Sequence, residues 1–157
     1  MAENINITAS TKEGKYKELF PQIEALVSGE KDTIANMANI CAALKYGMGF
    51  FWVGFYIVKG NELVLGPFQG TLACTRIAKG KGVCGTAWEK NETVIVDDVD
   101  KFPGHIACSS LSKSEIVVPV YNSNKEIIAV LDVDSDELAS FDKIDEEWLK
   151  KITFLIS

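Results

Sequence analysis

The segment spanning residues 115–134 constrains the fold of this chain more than any other. Two apolar, β-branched runs, residues 115–121 and 126–134, flank the turn-forming Asn122-Ser123-Asn124-Lys125, a pattern that predicts an antiparallel hairpin. A four-residue turn sets Tyr121 opposite Glu126 and Glu115 opposite Asp132. Side chains alternate along a strand, so Asp132 and Asp134 share a face, about 6.5–7 Å apart. Directly opposed residues stand about 4.5–5.5 Å apart at Cβ. Glu115, Asp132 and Asp134 therefore converge at one end of a face that otherwise carries Val117, Pro119, Ile128 and Val130. Three like charges repel, and each is costly to bury without a cation or a proton. Two readings follow: acids solvated at the start of the next turn, or a site for a small cationic ligand in which one acid, its pKa raised, donates a proton.

The flanking sequence supplies partners for this hairpin. Residues 50–58 read as an aromatic strand, residues 61–65 as its hairpin partner after Lys59-Gly60, residues 72–77 as a short third strand and residues 93–96 as a fourth. Tyr16, Leu19, Phe20, Ile23, Leu26 and Val27 form a helical stripe in which Pro21 is expected to kink or restart the helix. Ile34, Met37, Ala38, Cys41 and Leu44 form a second stripe, with Asp32-Thr33 as cap candidates and a stop near Gly47. A short helix over residues 82–90 ends at Asn91. Residues 97–112 read as a loop, and a last helix starts near Asp142 with Ile144, Trp148, Leu149, Ile152 and Leu155 inward. Helices at both ends of hairpin-joined strands predict an α+β fold, an antiparallel sheet covered by N-terminal and C-terminal helices. With 157 residues, one domain over 13–157 after a flexible segment 1–12 is expected.

Acidic residues outnumber basic ones by 22 to 16, which argues against nucleic acid, because phosphate neutralisation needs a clustered basic surface. No secretory leader is legible and no apolar run approaches the ~20 residues that span a bilayer, so no membrane role and a cytoplasmic location are expected. In that reducing setting four cysteines need explaining. None forms a C-x-x-C pair, and one histidine leaves too few partners for a Cys/His zinc site. A metal would need carboxylate help or all four cysteines, which the spacing does not support. Neither a metal nor an organic cofactor is expected.

Cys41 belongs to a helical apolar stripe and reads as core. Cys74 stands at a strand, near Arg76 and several lysines. Cys84 starts a helix, where the dipole favours thiolate; burial in a tight helix-on-strand turn is the competing reading. Cys108 sits on a loop with Pro103-Gly104 and His105, and is the leading nucleophile candidate, with His105 either tuning the thiol or shaping the loop. On the aromatic strand Trp52, Gly54 and Tyr56 share one face, and Phe51, Val53, Phe55 and Ile57 the other. Gly54 between two rings could open a ligand gap; packing of Trp52 and Tyr56 beneath a helix is the alternative.

The strings GPFQG, ACTRI and GKGVCGTAW (within residues 66–88), FPGHIAC (102–108), SEIVVPV (114–120) and LDVDS (131–135) resemble the free methionine-R-sulfoxide reductases, stand-alone GAF-domain enzymes. The resemblance runs from about Tyr16 to the last helix, and GAF domains in general lack these three cysteines together. It implies Cys108 as nucleophile, Cys74 as resolving partner and Cys84 as an auxiliary thiol. It implies substrate contacts from Trp52 and Tyr56 and from Glu115, Asp132 and Asp134, the three acids that strand pairing brings together independently. Reduction of free methionine-R-sulfoxide, recycling by thioredoxin and a homodimer are the further implications. One departure is visible: Ser109 stands where the family often has aspartate. The competing classes are a non-catalytic GAF small-ligand sensor and a thiol redox sensor.

Overall fold

The computed structural model describes residues 4–106 and 108–156. Its centre is one antiparallel sheet of β1 (Trp52–Lys59), β2 (Glu62–Gln69), β3 (Arg76–Ala78), β4 (Val94–Val96), β5 (Ser114–Tyr121) and β6 (Ile127–Ser135), in the order β3-β2-β1-β6-β5-β4. Three helices, α1 (Lys12–Val27), α2 (Thr33–Met48) and α4 (Lys143–Phe154), bury one face through Tyr16, Leu19, Ile40, Leu44, Leu149 and Ile152. The other face carries α3 (Gly82–Lys90) and the loops, with Trp52, Tyr56, Leu63, Val117 and Val130 in a second cluster. The expected α+β arrangement, a sheet covered by terminal helices, is the observed one.

Local chemistry sets most boundaries. Asp32 caps α2 by accepting from the Ala35 N–H, and Asp142 caps α4 within a reciprocal capping box with Asp145. Asn91 closes α3 in the left-handed conformation at φ 56°. Helix α2 runs past Gly47 to a left-handed Gly49. Gly47 serves instead as a packing notch, since a Cβ there would lie 2.8 Å from Leu19 Cδ1. Helix α1 continues through Pro21 rather than restarting, because Tyr16, Leu19, Ile23 and Val27 on both sides are buried together. Of the segment 1–12, residues 1–3 lie outside the described residues. Beyond them, Thr8 and Ala9 hydrogen-bond Glu18, and Ile5 and Ile7 pack against the core.

The β5–β6 register departs from the sequence expectation by two residues. The loop is three residues long, with the Asn122 N–H donating to the Glu126 carbonyl at 2.9 Å and Lys125 left-handed at φ 62°. A bulge between Val120 and Tyr121 adds the second step. Glu115 is therefore opposite Asp134, and Val117 opposite Asp132. A shift of two preserves the faces of Glu115, Asp132 and Asp134. The bulge does move Ile128 to the helical side, while Ile127 joins the second cluster. Phe51, ahead of β1, also packs with the second cluster rather than beside Val53 and Phe55.

Candidate active site

Sheet pairing assembles the site in rows. Trp52 on β1 opposes Asp134 on β6, which opposes Glu115 on β5, so an aromatic ring and two acids stand side by side on adjacent strands. The next row holds Gly54, Asp132 and Val117. The acids thus lie in the middle strands beneath α3, not in a solvated turn. Glu115 is 7 % exposed and Asp132 5 %. The Oδ1 atoms of Asp132 and Asp134 are buried and have no hydrogen-bond partner.

Electrostatics follow from this placement. Burial first, then the charges of Asp132 and Asp134, hold the Glu115 pKa well above the usual carboxylate range. Burial and Asp132 do the same to Asp134. Asp132 is raised by burial, an effect partly offset by its polar neighbours Glu115, Cys84 and Asp134 and by His105. Carboxylic acids kept protonated in this way can donate a proton to a developing oxyanion or alkoxide-like oxygen. Conversely, the ionised cluster is a strong site for a cation.

The cysteines separate clearly. Cys41 is in the helical core, its Sγ 3.4 Å from the Pro67 carbonyl oxygen and its pKa pushed up to about 12 by burial. Cys84, at the start of α3, is buried with its Sγ 3.9 Å from Glu115 Oε2. Burial, followed by the charges of Asp132 and Glu115, drives its pKa well above the ordinary thiol value. The helix dipole expected to favour a thiolate at Cys84 is outweighed, because it acts through one turn while three acids and a dry environment act directly. Cys74 and Cys108 are joined by a disulfide, with Cα atoms 5.3 Å apart.

Cys108 lines the same pocket as Cys84, Glu115, Asp132, Asp134 and Trp52. Its loop brings His105, Ser109 and Ser112 to that pocket as well. Sequence reading missed Leu72, Ser109 and Ser112 as wall residues; they lie in loops without periodicity, where no pattern marks the inward side. The aromatic residues have a further task. Trp52 Nε1 donates to the Thr71 carbonyl at 2.9 Å, and the Tyr56 hydroxyl to the Cys74 carbonyl at 2.9 Å. Both rings thereby fasten the loop that carries Cys74. The gap expected at Gly54 is filled by protein: a Cβ there would lie 2.5 Å from both Phe68 Cβ and Trp52 Cη2. Phe68 stacks on Trp52 with centroids 5.4 Å apart, a contact that sequence reading did not anticipate. Ala107 of the FPGHIAC string lies outside the described residues.

No helix among the described residues is long and apolar enough to cross a membrane. The family model described as GAF domain matches residues 29–157. The GAF domain-containing protein A of Dictyostelium discoideum is 62% identical over 157 residues, 99% of each chain. The free methionine-R-sulfoxide reductase of Saccharomyces cerevisiae is 39% identical over 165 residues, 99% of this chain and 92% of that one. Among solved structures, the free methionine-R-sulfoxide reductase of Neisseria meningitidis in complex with its substrate superposes with a TM-score of 0.95 at 53% identity, covering 98% of this chain and 92% of that one. The chain belongs to the free methionine-R-sulfoxide reductase family of GAF-domain proteins.

Proposed function

We propose that this protein reduces free methionine-R-sulfoxide to methionine, using Cys108 as the nucleophile. The observation that carries the reading is the lining of one pocket by Cys108, Trp52 and three acids, with Cys108 disulfide-bonded to Cys74. The Cys108 thiolate attacks the sulfoxide sulfur while one of Glu115, Asp132 and Asp134, held protonated by burial, donates to the oxygen. Methionine departs and Cys108 is left as a sulfenic acid. The Cys74 thiol displaces water from it, giving the disulfide. A dithiol then reduces that bond by exchange, so one sulfoxide and one dithiol yield methionine, one disulfide and water. Thioredoxin is the dithiol of this scheme.

The remaining assignments follow the same chemistry. The ionised members of the acid cluster receive the ammonium of the free amino acid, which a methionine inside a peptide lacks. The Trp52 ring packs on the S-methyl group and helps select one sulfur configuration, and Tyr56 backs it. Cys84 is an auxiliary thiol beneath the substrate. Residues 13–157 act as one catalytic unit, in a homodimer, in the cytoplasm. The test follows NADPH consumption with thioredoxin, its reductase and each free sulfoxide epimer. Turnover of the R form alone is expected, and its abolition by Cys108→Ser. Full activity in C108S would remove Cys108 from the mechanism, and equal turnover of peptide-bound sulfoxide would remove the ammonium reading.

A further inference from the structure

The acids and Cys84 form a second kind of site. One donor atom each from Cys84, Glu115 and Asp132 lies within 4.8 Å of the other two, and all three residues are buried. Spacing along the chain hides this set, because the ligands come from a helix start and two strands; carboxylate help is what the fold supplies. On a tetrahedral ion with Zn–S about 2.3 Å and Zn–O about 2.0–2.2 Å, a sulfur and an oxygen donor stand roughly 3.6 Å apart. The observed 3.9 Å from Cys84 Sγ to Glu115 Oε2 is within a small side-chain rotation of that. Asp132 supplies the second sign: it is 5 % exposed and lines the pocket, and although its carboxyl hydrogen-bonds within the cluster to Glu115 and Cys84, its buried Oδ1 is left without a partner.

We propose that Cys84, Glu115 and Asp132 bind a thiophilic divalent cation of the zinc type, with the pocket side left open for a water or for one further donor. One sulfur and two oxygens suit Zn2+ or Co2+ and disfavour Mg2+ or Ca2+, which take oxygen ligands alone. The ion occupies the floor of the pocket that Cys108 lines, so metal and a cationic ligand on the same acids exclude each other. That exclusion rests on the functional reading above; the metal site does not. Such an ion inhibits reversibly and is no part of turnover.

The test uses the full chain with its Cys74–Cys108 disulfide intact, so that Cys41 and Cys84 are the free thiols. Titration with Co2+ is expected to raise a thiolate-to-cobalt charge-transfer band that saturates at one ion per chain and is discharged by Zn2+. Cys84→Ser should lose the band while Cys41→Ala keeps it, since Cys41 lies in the helical core. Glu115→Gln and Asp132→Asn should each weaken binding tenfold or more. Near-ultraviolet dichroism verifies that each variant is folded. Absence of the band, its survival in folded C84S, or unchanged affinity in both acid variants would overturn the site. Free L-methionine should raise the apparent Kd for Co2+; a metal affinity indifferent to saturating methionine would overturn the exclusion and leave the ion in place.

Discussion

Replacing Asp134 with Asn should stabilise this protein at neutral pH. Asp134 opposes Glu115 across the β5–β6 pair and stands two residues from Asp132 on the same face. Directly opposed residues lie about 5 Å apart and i, i+2 residues about 7 Å. At an effective dielectric constant near 20, two unit charges at those separations repel by roughly 3.3 and 2.4 kcal/mol. The wild-type protein avoids much of this by keeping protons, as the raised pKa values of Glu115 and Asp134 indicate. The gain in the variant is therefore a fraction of the sum, about 1–2 kcal/mol, within the range common for single stabilising substitutions. For a chain of this size that is roughly 2–8 °C in Tm.

The pH dependence carries the stronger check. A carboxyl whose folded pKa is raised contributes stability that is complete below its unfolded value, near 4, and is lost as pH rises through the folded value. The Tm difference between D134N and wild type should thus be small at pH 4 and widen towards pH 8. Scanning calorimetry on both proteins, each with the Cys74–Cys108 bond intact, measures it. A variant less stable than wild type at pH 8, or a difference independent of pH, would refute the placement of these acids as a buried, mutually repelling set.

Gly54→Ala forces a methyl group against Phe68 and the Trp52 ring at 2.5 Å; denaturant unfolding should register a loss of about 1–3 kcal/mol, with altered tryptophan dichroism and reduced turnover. Tyr56→Phe removes the donor to the Cys74 carbonyl, a bond worth about 1 kcal/mol; hydrogen exchange of amides 70–75 should quicken several-fold while α1 and α4 remain unaffected. Tyr16→Phe deletes a 2.6 Å bond to buried Asp145, which keeps only Lys12 beside its capping role. Bonds to charged groups contribute about 1.5–3 kcal/mol, so the Tm of Y16F should fall by roughly 3–12 °C.

What the sequence made legible depended on periodicity. The acid cluster was found with the wrong partner assigned, Glu115 facing Asp132 instead of Asp134, and survived because the error was even. A loop one residue shorter than expected and a single bulge each contribute one step, and two steps return every side chain outside the bulge to its face. Ile128, at the bulge, did not survive. Helix α3 was legible to the residue, since Gly82 and Asn91 both hold positive φ at its ends. The nearness of Cys74 and Cys108 was not: 34 residues separate them, both lie in loops, and only the family resemblance pointed to the pair. Nor does any pattern reveal that the Trp52 ring folds back over Gly54, because rotamers are settled by contacts from β2 that no local rule contains.

In the proposed mechanism the nucleophilic sulfur sits on a loop, and the contrast between Cys84 and Cys108 supplies a physical reason for that placement. A thiolate held directly against the acid rows would face Glu115 and Asp132 in a dry environment, and Cys84, packed there from the start of α3, is held as a thiol first by burial and then by those charges. An acid cluster able to hold protons for a reducible oxygen is thus a poor neighbour for a nucleophilic anion. Separating the two on different elements resolves the conflict: the sheet fixes the acids, and a loop brings Cys108 to the same pocket. The loop also lets that sulfur meet Cys74, whose own segment is pinned to β1 through Tyr56 and Trp52. A protein carrying both Cys74→Ser and Cys108→Ser keeps only Cys84 and the core Cys41 as thiols, and should therefore offer none that iodoacetamide alkylates rapidly at pH 7; rapid alkylation of Cys84 in that folded variant would refute the argument.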